Sequence, residues 1–414
     1  MRRAEKRPRV LIIVENETVP ADRRVWDECR ALVAAGYGVS VICPRAPGEP
    51  AYQELEGVLL HRYAPPRESP TKLGFVYEYA YSWVHTAALT AKVLVRDGFD
   101  AIQACNPPDI YFALAAPLKL VGKRFVFDQH DLSPELYVSR FGRSEGLLLA
   151  GLRAMERATY QVADHVIATN QWYREIALAR GGCRAESVTV VRNGPDLQRM
   201  RRRPPLTELK NGKRFLCCFL GVMEPHDGVD VALRAAHELV HEHGRRDCHF
   251  AFLGDGESLP GLRRLAHDLD LKDWVTFTGW AQDEMICDYL STADIGLQPD
   301  PKDPRTNIST VTKTMEYMAF ALPVVAFDLE ETRATAADAA VYAQPNDVVS
   351  YTEMIDTLLD DPPLRAEMGR VGRRRVEEQL AWDHQKIAYV QVYDRLLRRC
   401  AGPSLGSPRM AGKR

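Results

Sequence analysis

The sequence predicts an α/β protein of two tandem doubly wound domains that face one another across a cleft. Three observations carry that expectation. The chain has 414 residues, too many for one ordinary core and suited to two domains of roughly 150–200 residues each. Short apolar, β-rich runs alternate with helical patterns in both halves, the signature of βαβ units. The alternation breaks once, at a basic, proline-rich stretch around residues 192–205, which reads as a hinge.

The elements follow in order. Residues 10–14 are a continuous apolar run and read as a buried strand. Residues 22–35 read as a helix with Val25, Cys29, Leu32 and Val33 on one face, ended by Gly36-Tyr37-Gly38. Residues 39–43 form the next strand, so the crossover between the two is right-handed. Further strands are expected at 101–104, 124–128, 165–169 and 188–191. After Asn193-Gly194-Pro195-Asp196 and the basic run to Pro205, a second series starts with the strand at 214–220. It continues with a helix at 229–243, a strand at 248–253, a helix at 259–269 and a strand at 275–277. A strand at 295–297, a helix opening at Thr310 and a strand at 324–326 complete it. In such a pair ligands bind at the carboxyl ends of the strands, in the cleft between the sheets.

Composition narrows the class. A formal net charge of −2 creates no global field for nucleic acid or membrane, and nucleic acid is excluded as a partner. Local basic runs occur, and the segment from Arg199 to Pro205 is placed to touch anionic lipid as a peripheral contact. Nine cysteines show no C-x-x-C pair, which is reduced, cytosolic usage and neither a disulfide framework nor a zinc site. No signal peptide is visible, and the run at 147–152 is far short of the ~20 residues needed to span a bilayer. The cytoplasm is the expected location, with peripheral contact on the inner face of the membrane as an option. Residues 401–414, rich in Gly, Pro, Ser and basic residues, are expected to be disordered.

The segment from Thr310 to Ala326 (T-V-T-K-T-M-E-Y-M-A, then F-A-L-P-V-V-A) is the most informative. A helix N-terminus collects unpaired N–H groups and positive dipole, and so holds phosphate. Lys313 adds a full charge there. Glu316, on the same face, can accept two hydrogen bonds from vicinal hydroxyls. Phosphate plus diol describes a nucleotide sugar; the alternative is a capped amphipathic helix with a solvated Lys and Glu.

This segment resembles the second half of the Glu-x7-Glu signature of family 4 retaining glycosyltransferases, which have two Rossmann-like domains in the GT-B arrangement. The likeness extends through Asn193-Gly194-Pro195-Asp196, Gly254-Asp255-Gly256-Glu257 and Val275-Thr276-Phe277-Thr278-Gly279-Trp280. It implies an acceptor-side domain over 1–195, a nucleotide-sugar domain over 206–381, and a final helix at about 382–397 crossing back to the first domain. It assigns the ribose to Glu316, the base to the turn at Gly279 and Trp280, and a place near the transferring sugar to His130, with Asp131 orienting it or the acceptor hydroxyl. Trp280 is equally readable as a packing residue. Two departures stand out. Ile308 occupies the position of the first glutamate, leaving Asn307, Ser309 and Thr310 to contact the donor sugar. In the turn from Gly221 to Gly228, Val222 and Asp227 replace the Arg and Lys that clamp the diphosphate, so Lys313, the helix N-terminus, Arg23 and Arg24 are the remaining cations. Asp227 could instead aim at a metal or at a polar group of the sugar. Gly254 and Gly221 line the donor turn.

The resemblance implies transfer of a sugar from a nucleoside diphosphate sugar co-substrate, UDP-linked in the first instance, with retention of configuration. No metal is expected, because no D-x-D triplet is placed to hold one, and no cofactor is expected. The acceptor would be a glycan, a lipid-linked or a small-molecule hydroxyl, with Tyr77, Tyr79, Tyr81 and Trp83 either at its surface or in the core. Two other readings remain: a non-hydrolysing UDP-sugar 2-epimerase, and a non-catalytic scaffold subunit that binds a sugar nucleotide.

Overall fold

The structure is a computed structural model that describes residues 7–66, 72–142 and 145–397. The expectation for 401–414 lies outside the described residues. Eight strands build the first sheet: β1 (Arg9–Ile13), β2 (Gly38–Pro44), β3 (Tyr52–Leu55), β4 (Val58–Tyr63), β5 (Ala101–Cys105), β6 (Arg124–Gln129), β7 (His165–Ala168) and β8 (Val188–Val190). Six build the second: β9 (Phe215–Leu220), β10 (Cys248–Leu253), β11 (Val275–Gly279), β12 (Ile295–Gln298), β13 (Val324–Phe327) and β14 (Ala340–Ala343). Their orders are β3-β4-β2-β1-β5-β6-β7-β8 and β11-β10-β9-β12-β13-β14. Apart from the antiparallel β3–β4 pair, the strands are parallel. Both sheets are doubly wound, as the alternation predicts. The winding reverses beside β1 and beside β9, which opens a crevice at the carboxyl end of each.

Burial explains the sequence pattern. The six residues of β9 and of β10 are all buried, because helices cover both faces of a parallel sheet and leave no polar side to alternate with. The hairpin β3–β4, strand β14 and the helix Lys72–Arg96 are further elements, absent from the sequence reading. On that helix Tyr77 is exposed, whereas Tyr81 and Trp83 pack on the core of the first sheet. The eight described cysteines are unbridged. Among the described residues no helix is long and apolar enough to cross a membrane.

The last helix, Trp382–Leu396, buries Trp382, Tyr389, Val392 and Tyr393 against β1, β2 and the helix Arg23–Ala34. It therefore packs on the first sheet although it follows the second in the chain. The Trp382 N–H donates to the Pro195 carbonyl at 3.1 Å. Gly194 permits this approach, since a Cβ there would lie 1.8 Å from the Leu380 carbonyl oxygen.

At the carboxyl end of β1, Glu15 sits beneath the helix Lys72–Arg96 and accepts a hydrogen bond from Ser82 Oγ at 2.8 Å. Burial pushes its carboxyl up to about 7. A raised carboxyl pKa makes folding bind a proton, so stability is lost as pH rises from about 4.5 toward 7. Glu15→Gln keeps the Ser82 acceptor and removes the ionisation. In urea unfolding it should match wild type at pH 4.5 and exceed it by about 1–2 kcal/mol at pH 8.

Candidate functional site

On the first-domain side, the helix Arg23–Ala34 begins at Asp22, whose side chain accepts the Val25 N–H at 3.0 Å. That cap aims Arg24 inward. Its guanidinium contacts Asp128 at 2.8 Å and Glu28 at 3.2 Å, donates to the Val191 carbonyl at 3.0 Å, and bonds Asn193 Oδ1. Arg24 is thus committed inside the first domain and is not a free cation for a diphosphate. Arg23 is exposed and lies 3.5 Å from Asp283. The pair Arg24–Asp128 holds the Asp128 carboxyl well below its usual range despite burial, while burial and Asp128 push Glu28 well up. One guanidinium thereby faces two buried carboxyls whose proton affinities are driven in opposite directions.

His130 Nε2 lies 2.8 Å from Asp128 Oδ2. Arg24 Nε lies 3.1 Å from the same ring nitrogen, so the Arg24–Asp128 pair fixes the imidazole. Asp128, not Asp131, therefore orients His130. Asp131 faces the other domain: Arg305 Nη1 is 3.9 Å from its carboxylate. Burial raises the Asp131 carboxyl, against the pull of Arg305, His130 and His226. Cys105, Asp128 and His130 offer donor atoms within 4.8 Å of one another. The charge of that cluster is already met by Arg24, which disfavours a cation there.

On the second-domain side, the turns after β9, β10 and β11 meet. The Gly221 N–H donates to the Leu253 carbonyl and the Gly254 N–H to the Gly279 carbonyl, both at 3.0 Å. A Cβ on Gly254 would lie 1.9 Å from the Gly221 oxygen, so these turns close only with glycine. The next helix starts at Thr312, not Thr310 (Thr312–Ala319), and no side chain caps it. The Thr310 and Ser309 hydroxyls turn to other partners. Asn170 Nδ2 donates to Thr310 Oγ1 at 2.9 Å and to the Ile308 carbonyl at 2.8 Å. Tyr173 Oη and Ser309 Oγ are 2.9 Å apart. Asn307 Oδ1 accepts the Glu330 N–H at 3.1 Å. Ile308 packs on the first domain's core. The loop at Ile308, Ser309 and Thr310 thus ties the two domains together.

Lys313 is buried. Its ammonium lies 3.1 Å from Asp300, 3.4 Å from Asp227 and 4.6 Å from the centre of the Phe219 ring. Asp227 also accepts the Glu224 N–H at 3.0 Å. It turns to Lys313 and its own loop, not outward as a free ligand. Burial raises the Asp300 carboxyl. Glu316 is half-buried, its carboxyl raised by burial, with Arg199 3.8 Å away. Arg199 also pairs with Asp283 at 2.7 Å. The first residue of the basic linker thus serves the cleft. Trp280 is 75% exposed beside Gly279, an open aromatic face and no packing residue. The sequence reading missed Asp128 as orienter, Asp300, Arg305 and Arg199. The only signal for Asp300 was its place just after a strand.

The carboxyl edges of both sheets thus present a half-buried carboxylate, a caged ammonium, an open indole and an oriented imidazole. Comparison with known proteins bears on this arrangement. Residues 21–199 match the profile described as Glycosyltransferase Family 4, and residues 214–361 that described as Glycosyl transferases group 1. An α-D-kanosaminyltransferase of Streptomyces kanamyceticus is 28% identical over 157 residues, 37% of this chain and 39% of that protein's length. The match thus spans well under half of that curated relative. A sucrose-phosphate synthase of Thermosynechococcus elongatus superposes with a TM-score of 0.77 at 19% identity, covering 95% of this chain and 100% of that one. An Anabaena protein solved with UDP and glucose superposes with a TM-score of 0.68 at 15% identity, covering 94% and 100%. These two likenesses identify the fold as GT-B.

Asp128→Asn leaves Arg24 buried beside a neutral partner. It should destabilise the protein by about 3 kcal/mol in urea unfolding at pH 7. The loss should shrink as pH falls below about 4, because there the unfolded chain's Asp128 takes up a proton that the folded wild-type carboxylate does not.

Proposed function

The chain belongs to glycosyltransferase family 4 and has the GT-B architecture, and from that premise we propose that it transfers a sugar from a nucleoside diphosphate sugar to an acceptor hydroxyl with retention of configuration. The observation that carries the reading is the single constellation of Glu316, Trp280 and Lys313 along one helix and the turns beside it. Glu316 takes the ribose diol, Trp280 stacks on the base, and Lys313 with the uncapped N–H groups at Thr312 takes the diphosphate. Gly254 and Gly221 let the backbone approach the donor. Uridine is the base we put first, because the Anabaena structure with UDP and glucose shares this architecture.

The reaction follows from charge. The bond from the anomeric carbon to the phosphate oxygen breaks, and its electron pair leaves on the diphosphate. The acceptor oxygen bonds the same face of the sugar, and its proton passes to the departing phosphate oxygen. Lys313 and the helix N-terminus meet the growing charge on the leaving group. His130, held by Asp128, and Asp131 line the acceptor side. Closure around the loop at Ile308, Ser309 and Thr310 excludes water. No metal enters this scheme. The acceptor is a glycan, lipid-linked or small-molecule hydroxyl.

Calorimetric titration with UDP, GDP and dTDP checks the donor site. Wild type should bind one of them, and Glu316→Ala should weaken that binding ten- to a hundredfold through loss of charged hydrogen bonds. Absence of binding for all three would sink the transferase reading.

A further inference from the structure

A second basic concavity lies away from the cleft. It has a volume of about 610 Å³ and is lined by Arg202 from the interdomain linker and by Arg370, Arg373 and Arg374 from the helix Pro362–Arg375 and its end. Its floor is Ala321, just past the helix Thr312–Ala319. Arg373 donates to the Ala319 carbonyl, so this is the C-terminal end of the helix whose N-terminal turn carries Lys313. Eight residues at 1.5 Å each put about 12 Å between the two ends.

The four arginines fall into two kinds. Arg370 is held by Glu367, and Arg373 by Glu377 at 2.6 Å. Arg373 is fixed by a carboxylate and a carbonyl, and Arg370 by one surface carboxylate. Arg202 and Arg374 are exposed, and their guanidinium groups make no hydrogen bond or ion pair with any described residue, although the charge of Arg374 is felt by Glu367. Counting Glu378 on the rim, four guanidinium groups meet three carboxylates. The surplus sits on two unpaired forks that reach one concavity from segments about 170 residues apart in sequence. Paired neighbours that are already rigid lower the ordering cost for a ligand. Planar guanidinium forks match phosphate oxygens in pairs. The small side chains of Ala321 and Ala366 leave the space beneath them open.

We propose that this concavity binds a phosphate-bearing anion through Arg202 and Arg374. A lipid headgroup and a free phosphate compound present the same chemistry, and the test separates them. The full chain is titrated with inorganic pyrophosphate in the presence of saturating UDP, which fills the donor cleft, and in parallel is sedimented with phosphatidylglycerol–phosphatidylcholine vesicles and with phosphatidylcholine vesicles alone. The variants are R202E/R374E and, for the same change of net charge elsewhere, R153E/R157E on the exposed face of the helix Leu147–Val162. All four substitutions are at exposed positions, and far-ultraviolet circular dichroism checks folding. Wild type should bind pyrophosphate, anionic vesicles or both. R202E/R374E should weaken that binding at least tenfold and R153E/R157E less than twofold. Pyrophosphate alone names a free anion, and anionic vesicles alone name a headgroup. No binding to either probe, equal affinity in R202E/R374E, or an equal loss in R153E/R157E would overturn the site. None of these readouts depends on transferase activity.

Discussion

The structure turns on the buried pair of Arg24 and Asp128. A guanidinium taken out of water must meet a carboxylate, and removing one partner leaves an uncompensated buried charge. Arg24 satisfies that demand by joining the helix after β1 to the end of β6 and to the hinge at Val191 and Asn193. Gln103 extends the network: its amide donates to Glu28 at 2.7 Å and to Asp128 at 3.0 Å, and its carbonyl accepts from Tyr389 at 2.8 Å and from Tyr393. The last helix is therefore tied to the residue that orients His130. A change in that helix reaches the cleft through three side chains.

A second charge balance governs the opposite wall. The turn from Gly221 to Gly228 carries no Lys or Arg, and its Asp227 lies against Lys313. Lys313 lies between Asp300 and Asp227, so a diphosphate must compete with two carboxylates for it. Burial raises the Asp300 carboxyl against the pull of Lys313, so its charge is held less firmly than that of a solvated carboxylate. Gly228 fixes the geometry: it has positive φ, and a Cβ there would lie 2.0 Å from the Pro299 oxygen. The loop cannot swing Asp227 away by small adjustments.

Strand order and element spacing were legible because parallel strands buried on both faces leave continuous apolar runs such as residues 215–220 and 248–253. The hairpin β3–β4 was not, because it lies at the sheet edge with exposed and half-buried residues alternating in β3 and no strong turn dipeptide. The helix at Lys313 and Glu316 could be read from its motif, but its start could not: Thr310 looks like a cap and instead bonds Asn170 of the other domain. Arg24 looked like an available cation because its charge conflicts with the helix dipole. Its true partner, Asp128, lies 104 residues further on, a distance no local pattern spans. Long-range charge pairing sets the chemistry of both walls, and single-sequence reasoning sees it least.

The central claim is that Lys313, once drawn from its carboxylates, holds the donor diphosphate. Calorimetry with UDP and with uridine, on wild type and Lys313→Met, tests it most directly. The account predicts that wild type binds UDP at least tenfold more tightly than uridine, and that this preference disappears in Lys313→Met while uridine binding stays the same. An undiminished preference for UDP in Lys313→Met would contradict it.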